Sequence, residues 1–160
     1  MNVKDYLKLP YKIDKVIPLR KSVTEKHRDS LYGRSIDYSG SGGVGSASDA
    51  LGAAIASVRD YEADTDKLIA ALVAIRLDIE NLINGIHNDK QREVLIDRYL
   101  LYMPWTSRYD KDTGKLIREG IKEKTGYSVQ AVYKLHTEGL KKISIPEKIR
   151  VKYSEIEYLL

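Results

Sequence analysis

The chain has no cysteine, no phenylalanine, one tryptophan and four prolines among 160 residues, and no apolar run near the ~18 residues that cross a bilayer. Without cysteine, disulfides, thiol catalysis and cysteine-held zinc are excluded together, and the composition suits a reducing compartment. The opening MNVKDYLKLP lacks the apolar core of a secretory signal, so the expectation is a cytoplasmic protein without membrane association. Twelve tyrosines supply the aromatic mass. The length allows one ordinary domain, or a small domain with an extended helical arm.

The residues that carry chemistry are equally sparse. His27, His87 and His136 are too widely spread to define a shared site, and none falls in a metal-binding motif. Next to the apolar stripe of its helix, His136 is expected to be packed or to face a phosphate. Glu62, Asp64 and Asp66 are most simply the solvated face of a helix. Gly40, Gly42 and Gly45 satisfy G-x-G-x-x-G in form. That fingerprint needs a buried strand feeding a helix inside a βαβ unit, and LYGRSIDY is a poor strand with no second strand to follow it. The stretch Ser39 to Ser48, SGSGGVGSAS, reads instead as a flexible linker. Asp110, Asp112 and Gly114 faintly suggest a calcium loop, but the position of its bidentate Glu is Ile121. No catalytic residue, cofactor or metal is expected, and the protein reads as a non-enzyme.

The net charge of +4 is unevenly divided. Residues 1–34 hold nine basic against four acidic residues, 49–87 three against seven, and 88–145 twelve against eight. A basic C-terminal half suits a polyanionic partner, and an ordinary solvated surface has the same signature.

Periodicity is helical almost throughout. A short first helix is expected, then a second beginning near Pro10 and kinked or restarted near Pro18. Beyond the linker, Ser46 and Asp49 make a capping pair for a long helix from about Asp49 to Ile86. Its seam, Val58, Tyr61, Thr65, Leu68, Leu72, Ile75, Ile79, Leu82 and Ile86, alternates three and four residues apart, broken only by Thr65. Ile55, Ile69, Val73 and Ile83 widen that stripe, so the N-terminal helices are expected to fold back on it and the remainder to pair with a second subunit. Asn88 with Gln91 caps a further helix, QREVLIDRYLLYM, ending before Pro104. Asp112-Thr113-Gly114 is turn chemistry between Thr106, Tyr109, Leu116 and Ile117, which predicts a small β-hairpin. The tail, IPEKIRVKYSEIEYLL, is compatible with a strand, a strap or a helix.

One segment, Ile121 to Ile143, has a spacing that points to a task. Ile121, Gly126, Val132 and Leu135 fall at intervals of five, six and three, as the packing positions of a helix-turn-helix do. Gly126 can take the positive φ of the turn, and Ser128 is a natural N-cap for the second helix. Val132, Leu135, Gly139, Leu140 and Ile143 form one apolar stripe. Gln130, Tyr133, Lys134, Thr137 and Lys141 stand opposite, able to bond base edges and phosphates. A two-helix packing corner with a solvated outer face is the other reading of this spacing.

With KQREVLIDRYL ahead of it, GYSVQAVYKLHTEGLKKI resembles region 4 of bacterial sigma factors, with Arg92, Glu93, Val94, Leu95, Arg98 and Tyr99 in familiar places of the leading helix. The whole chain is similar to small phage-encoded transcriptional regulators of the RinA and ArpU kind, on RYL, Trp105, GYS and the Val-Tyr-Lys-Leu-His run. It departs from them in the inserted TSRYDKDTGKLI, in Lys122 where a small residue lets the helices cross, and in Gly139 for a usual Ala, a cost of about 1 kcal/mol in helix propensity.

The resemblance implies a sequence-specific DNA-binding transcriptional regulator of phage or prophage origin. The helix begun by Ser128 would enter the major groove with Val129, Gln130, Tyr133 and Lys134 nearest the bases. Thr137, Lys141 and Lys142, with Arg118 and Lys124 from the preceding helix, would hold phosphates. Its partners would be double-stranded DNA, host RNA polymerase and a second copy of the chain. The expected fold is all-α: a helical hairpin over 1–87, a helix-turn-helix domain over 88–145 with an insert at 106–117, and a tail over 146–160. The competing class is a phage assembly or protein-interaction factor, such as a DNA-recognising subunit of the small-terminase kind.

Overall fold

The computed structural model describes residues 2–32 and 44–159, with only the backbone for 32, 44–51, 152, 154–155 and 157–159. It is 74% helix and 4% strand, an all-α fold as the periodicity predicts. The elements are α1 (Val3–Leu7), α2 (Leu9–Tyr32), α3 (Val44–Asn84), α4 (Asp89–Tyr99), β1 (Arg108–Tyr109), β2 (Leu116–Arg118), α5 (Ile121–Thr125), α6 (Val129–Lys142) and α7 (Glu147–Leu159). Among the described residues no helix is long and apolar enough to cross a membrane.

Asn2 starts α1 by accepting the Asp5 N–H at 2.8 Å. Pro10 sits in the first turn of α2, where a missing N–H costs nothing, and Pro18 lies inside the same helix. The long helix α3 has 41 residues and spans about 60 Å. It begins at Val44, five residues before the expected Asp49, so the last part of the Gly/Ser stretch is helical backbone. Once a helix is nucleated, each further residue adds a hydrogen bond, and small residues such as these do not obstruct it. The rest of the expected linker, 39–43, and the side chains of the proposed capping pair lie outside the described residues.

As expected, α2 folds back along α3. Leu9 and Ile13 are buried with Leu68, Leu72, Ile75 and Ile79. Thr65, the break in the seam, is nevertheless buried, because its hydroxyl donates to the Tyr61 carbonyl at 2.8 Å and leaves nothing unsatisfied. Ion pairs brace the hairpin: Arg28 to Glu62 at 2.7 Å and Arg76 to Asp14 at 2.5 Å. Tyr102, just after α4, donates its hydroxyl to Asp14 at 2.7 Å and accepts from Arg76 at 3.1 Å, tying the C-terminal half to both arms.

The apolar core is continuous across that junction. Tyr6, Leu7, Ile79 and Ile83 pack in one cluster with Leu95, Tyr99, Ile143, Ile145, Tyr153 and Ile156. The tail is a helix: Ile149, Tyr153 and Ile156 lie at i, i+4 and i+7 and face this core, while Val151 is 65% exposed. The Tyr153 hydroxyl donates to Asp78 at 2.6 Å. A smaller core of Val94, Ile121 and Val132, with Met103, Trp105, Tyr127 and Leu135 around it, lies under the helix-turn-helix.

Helix α4 ends at Tyr99 rather than running on to Met103. The Leu101 N–H returns to the Ile96 carbonyl and that of Met103 to the Asp97 carbonyl, and Tyr102 takes a positive φ of 55°. The predicted hairpin forms, pairing Arg108 with Arg118 and Tyr109 with Leu116. In its turn Asp110 accepts the Thr113 N–H and hydroxyl at 2.7 Å, and Gly114 takes φ 66°. The insert is stitched to α5: Glu123 accepts from the Ser107 N–H and hydroxyl, and the Gly120 N–H donates to Ser107 Oγ at 2.9 Å.

Gly120 makes this seam possible. A Cβ there would lie 2.2 Å from the Thr106 carbonyl carbon and 2.3 Å from the Ser107 nitrogen, both backbone atoms that cannot swing aside. Gly120→Ala is expected to lower the unfolding free energy by about 3 kcal/mol, at the upper end of over-packing costs. Gly52, on α3 with open space around it, is the contrast: Gly52→Ala should raise stability by about 1 kcal/mol. Urea unfolding of both variants measures the pair.

Candidate functional site

The helix-turn-helix is built from local chemistry. Gly126 closes α5 with φ 70°, and its N–H donates to the Lys122 carbonyl at 2.9 Å. Ser128 opens α6 by accepting the Ala131 N–H at 3.2 Å. Along α6, Val132, His136 and Gly139 are buried, with Leu135 and Leu140 half-buried beside them. Gly139 is more than a loss of helix propensity. A Cβ at this position would fall 2.8 Å from Leu95 Cδ1, so the end of the Leu95 side chain occupies the space beside the glycine where α6 meets α4. Lys122 does not obstruct the helix crossing, because its side chain is 46% exposed and lies 3.6 Å from Glu123.

The predicted residues divide into two groups. Gln130, Tyr133, Lys134, Thr137, Lys141 and Lys142 are exposed on α6, with Ser128 exposed and Val129 half-buried at its start. Among the described residues no ion pair engages Lys134, Lys141 or Lys142. Tyr133, 45% exposed, rests its ring 4.9 Å from that of Trp105, and the Thr137 hydroxyl donates to the Tyr133 carbonyl at 2.8 Å. The other two cations are placed elsewhere. Arg118 is not on a preceding helix but on β2, donating to the Leu101 carbonyl at 3.3 Å. Lys124 is on α5, yet its Nζ lies 2.5 Å from Asp97 Oδ1 and 3.7 Å from Glu93. Asp97 is 1% exposed, and its hydrogen bond is the main reason that the Lys124 pKa is raised. The lysine is thus committed to the α4–α5 contact.

Sequence reasoning missed the aromatic support behind α6. Trp105 lies edge-on to His136 at 4.9 Å and under the Arg98 guanidinium at 4.5 Å. Tyr99 Oη and His136 Nε2 share a hydrogen bond of 3.0 Å. Of the two expectations for His136, packed or phosphate-facing, the structure has the packed one. Its pKa is lowered to about 4, first by burial and then by Lys4 and Arg98. Gln91, expected only as a capping partner, is buried on α4, and its amide donates to Glu138 on α6 at 3.0 Å. A lone Trp directly after Pro104 was the available signal for this cluster. Among the described residues no group of three His, Asp or Glu side chains is placed to hold a metal ion.

No protein-family model, curated protein or solved structure matches the chain.

Two tests follow from these contacts. Lys124→Ala strands the buried Asp97 carboxylate and should cost about 2–4 kcal/mol, the range for breaking a buried pair discounted for the partly exposed lysine. Lys134→Ala, on an exposed face, should stay within about 0.5 kcal/mol. Equal losses in chemical denaturation would remove the special role of Lys124. His136 supplies a pH signature. Its folded pKa lies below the unfolded value, so its contribution is fully present above about pH 6.5 and is lost as pH falls from there to about 4. The loss should reach about 3 kcal/mol at most, and the melting curves of His136→Gln should lack this component.

Proposed function

We propose that the protein is a sequence-specific, DNA-binding transcriptional regulator of phage or prophage origin, with α6 as its recognition helix. The observation that carries this reading is the mounting of α6. Ser128 caps it after the left-handed Gly126, its apolar stripe is spent on α4, and a row of polar side chains is left outward that makes no ion pair among the described residues. Fourteen residues make a helix about 21 Å long, suited to a groove ~12 Å wide. Val129, Gln130, Tyr133 and Lys134 lie toward its leading end and are the proposed base readers. Thr137, Lys141 and Lys142 are the proposed phosphate contacts. Arg118 remains a candidate from the hairpin, and Lys124 is set aside because Asp97 holds it.

A homodimer and a contact with host RNA polymerase belong to the same proposal. For the dimer, Val73 and Leu77 lie one turn apart on α3, each 55% exposed. The long α3 beside a helix-turn-helix equally suits a DNA-recognising packaging subunit of the small-terminase kind, and stoichiometry separates the two. Light scattering should give a dimer for the regulator and a closed ring of many subunits for the packaging factor.

The decisive experiment is footprinting on the genome that encodes the protein, followed by titration of the recovered site. Gln130→Ala should weaken specific binding by about 1–3 kcal/mol and relax one base position. Lys134→Ala should lower the salt slope by about 1 if the lysine meets a phosphate instead of a base. An equal effect of Gln130→Ala on the recovered site and on random DNA would sink its role in base readout.

A further inference from the structure

A second basic feature lies away from the outward face of α6. Between the start of α2, the end of α4 and the hairpin is a cleft of about 410 Å3, within the range that holds a small ligand. Lys8, Lys12, Arg98, Arg108 and Arg118 line it together with Tyr11, Tyr99 and Tyr102, and no carboxylate is in the lining. Among the described residues none of these five cations makes an ion pair. Asp14, which accepts from the hydroxyl of the lining residue Tyr102, is paired with Arg76.

The arrangement is costly without an anion. Arg108 and Arg118 are direct cross-strand partners, and like charges placed opposite one another destabilise a two-stranded pairing. Both also act on Tyr11, whose phenol is lowered by its hydrogen bond to Lys15 first and then by the charges of Lys15, Arg118 and Arg108. Arg108 and Arg118 thus bring two positive charges to the hairpin side of the cleft. Guanidinium groups match phosphate oxygens two at a time, and lysines add point charge.

We infer that this cleft is a phosphate-binding site. A ligand with two adjacent phosphate groups could meet the hairpin arginines on one side and Lys8 and Lys12 on the other. Such groups have two sources, the backbone of a nucleic acid strand and a free nucleotide or diphosphate. The inference stands on the geometry of the cleft, and only the first source depends on the proposed function.

Inorganic pyrophosphate titrated into the full chain at low salt, followed by calorimetry, is the test. The double variant Arg108→Gln with Arg118→Gln should bind at least about tenfold more weakly, because charge-assisted contacts are replaced by neutral ones. Its thermal melt, read by circular dichroism, checks the fold, and Lys12→Gln on the exposed face of α2 gives an independent second reading. Absence of pyrophosphate binding, or equal binding by wild type and variants, overturns the inference. A duplex titration then assigns the source. If the phosphates are those of a strand, Lys12→Gln, which lies outside the proposed recognition surface, also weakens duplex binding and lowers the salt slope by about 1. If they are free, Lys12→Gln leaves duplex affinity unchanged. A wild-type chain that binds pyrophosphate but no duplex would refute the proposed function and leave the cleft assignment standing.

Discussion

The close approach of α6 to α4 at Gly139 is the constraint on which the C-terminal half depends. Helix α4 has only eleven residues and serves two cores, sending Leu95 and Tyr99 into the large one and Val94 into the small one. A helix so short has little surface to spare, and its partner must come close enough to bury what there is. Gly139 permits this, with Leu95 filling the place of the missing side chain. Along the same face of α6, Val132 packs with Val94 and Ile121, and His136 reaches Tyr99. The polar row of α6 is then turned outward.

Electrostatics divides the cations of this half by what they can reach. Lys124 finds the buried Asp97 and is held inward, where it compensates a carboxylate whose second oxygen has no protein partner. Among the described residues the lysines of α6 make no ion pair, and they are exposed. Arg76 and Asp14, with Tyr102, close the junction between the helical hairpin and the helix-turn-helix. Partly buried and hydrogen-bonded on several sides, this cluster outranks the exposed pairs, which contribute little on their own. It also places the residue with the positive φ, Tyr102, so that its ring lies edge-on to Tyr11 and the chain leaves α4 toward the hairpin.

What could be read from the sequence was whatever local chemistry decides. Gly126 with Ser128, Asn88 with Gln91, and Asp112-Thr113-Gly114 each act within a few residues, and these caps and this turn are present, while the side chains of Ser46 and Asp49 lie outside the described residues. The seam of α3 was legible for a related reason, since a period sustained over many turns selects one buried face. The features that were not legible depend on distant partners. Tyr153 ties the tail helix to α3 by donating to Asp78, and nothing within the tail announces that aspartate. Lys124 and Lys134 are alike in sequence, and only the position of Asp97 separates a structural lysine from a free one. Gly139 carries a propensity cost in one dimension and a packing requirement in three. Gly120 gave no signal at all, because its neighbour is the backbone of Thr106 and Ser107.

The hairpin segment ahead of α5 does not loosen the helix-turn-helix that follows it. Ser107 and Gly120 are bridged by a hydrogen bond, Glu123 holds Ser107, and the N–H groups of Ile121 and Lys122 donate to the carbonyls of Pro104 and Trp105. The two ends of the insert are therefore brought together, and α5 starts against Trp105 as though the intervening residues were absent. The ring of Trp105 touches Tyr133 on one side and the Arg98 guanidinium on the other. The outward face of α6 and the basic cleft are thus linked through one indole. The insertion thereby extends the proposed interface beyond a single helix, and it does so without changing how that helix is mounted.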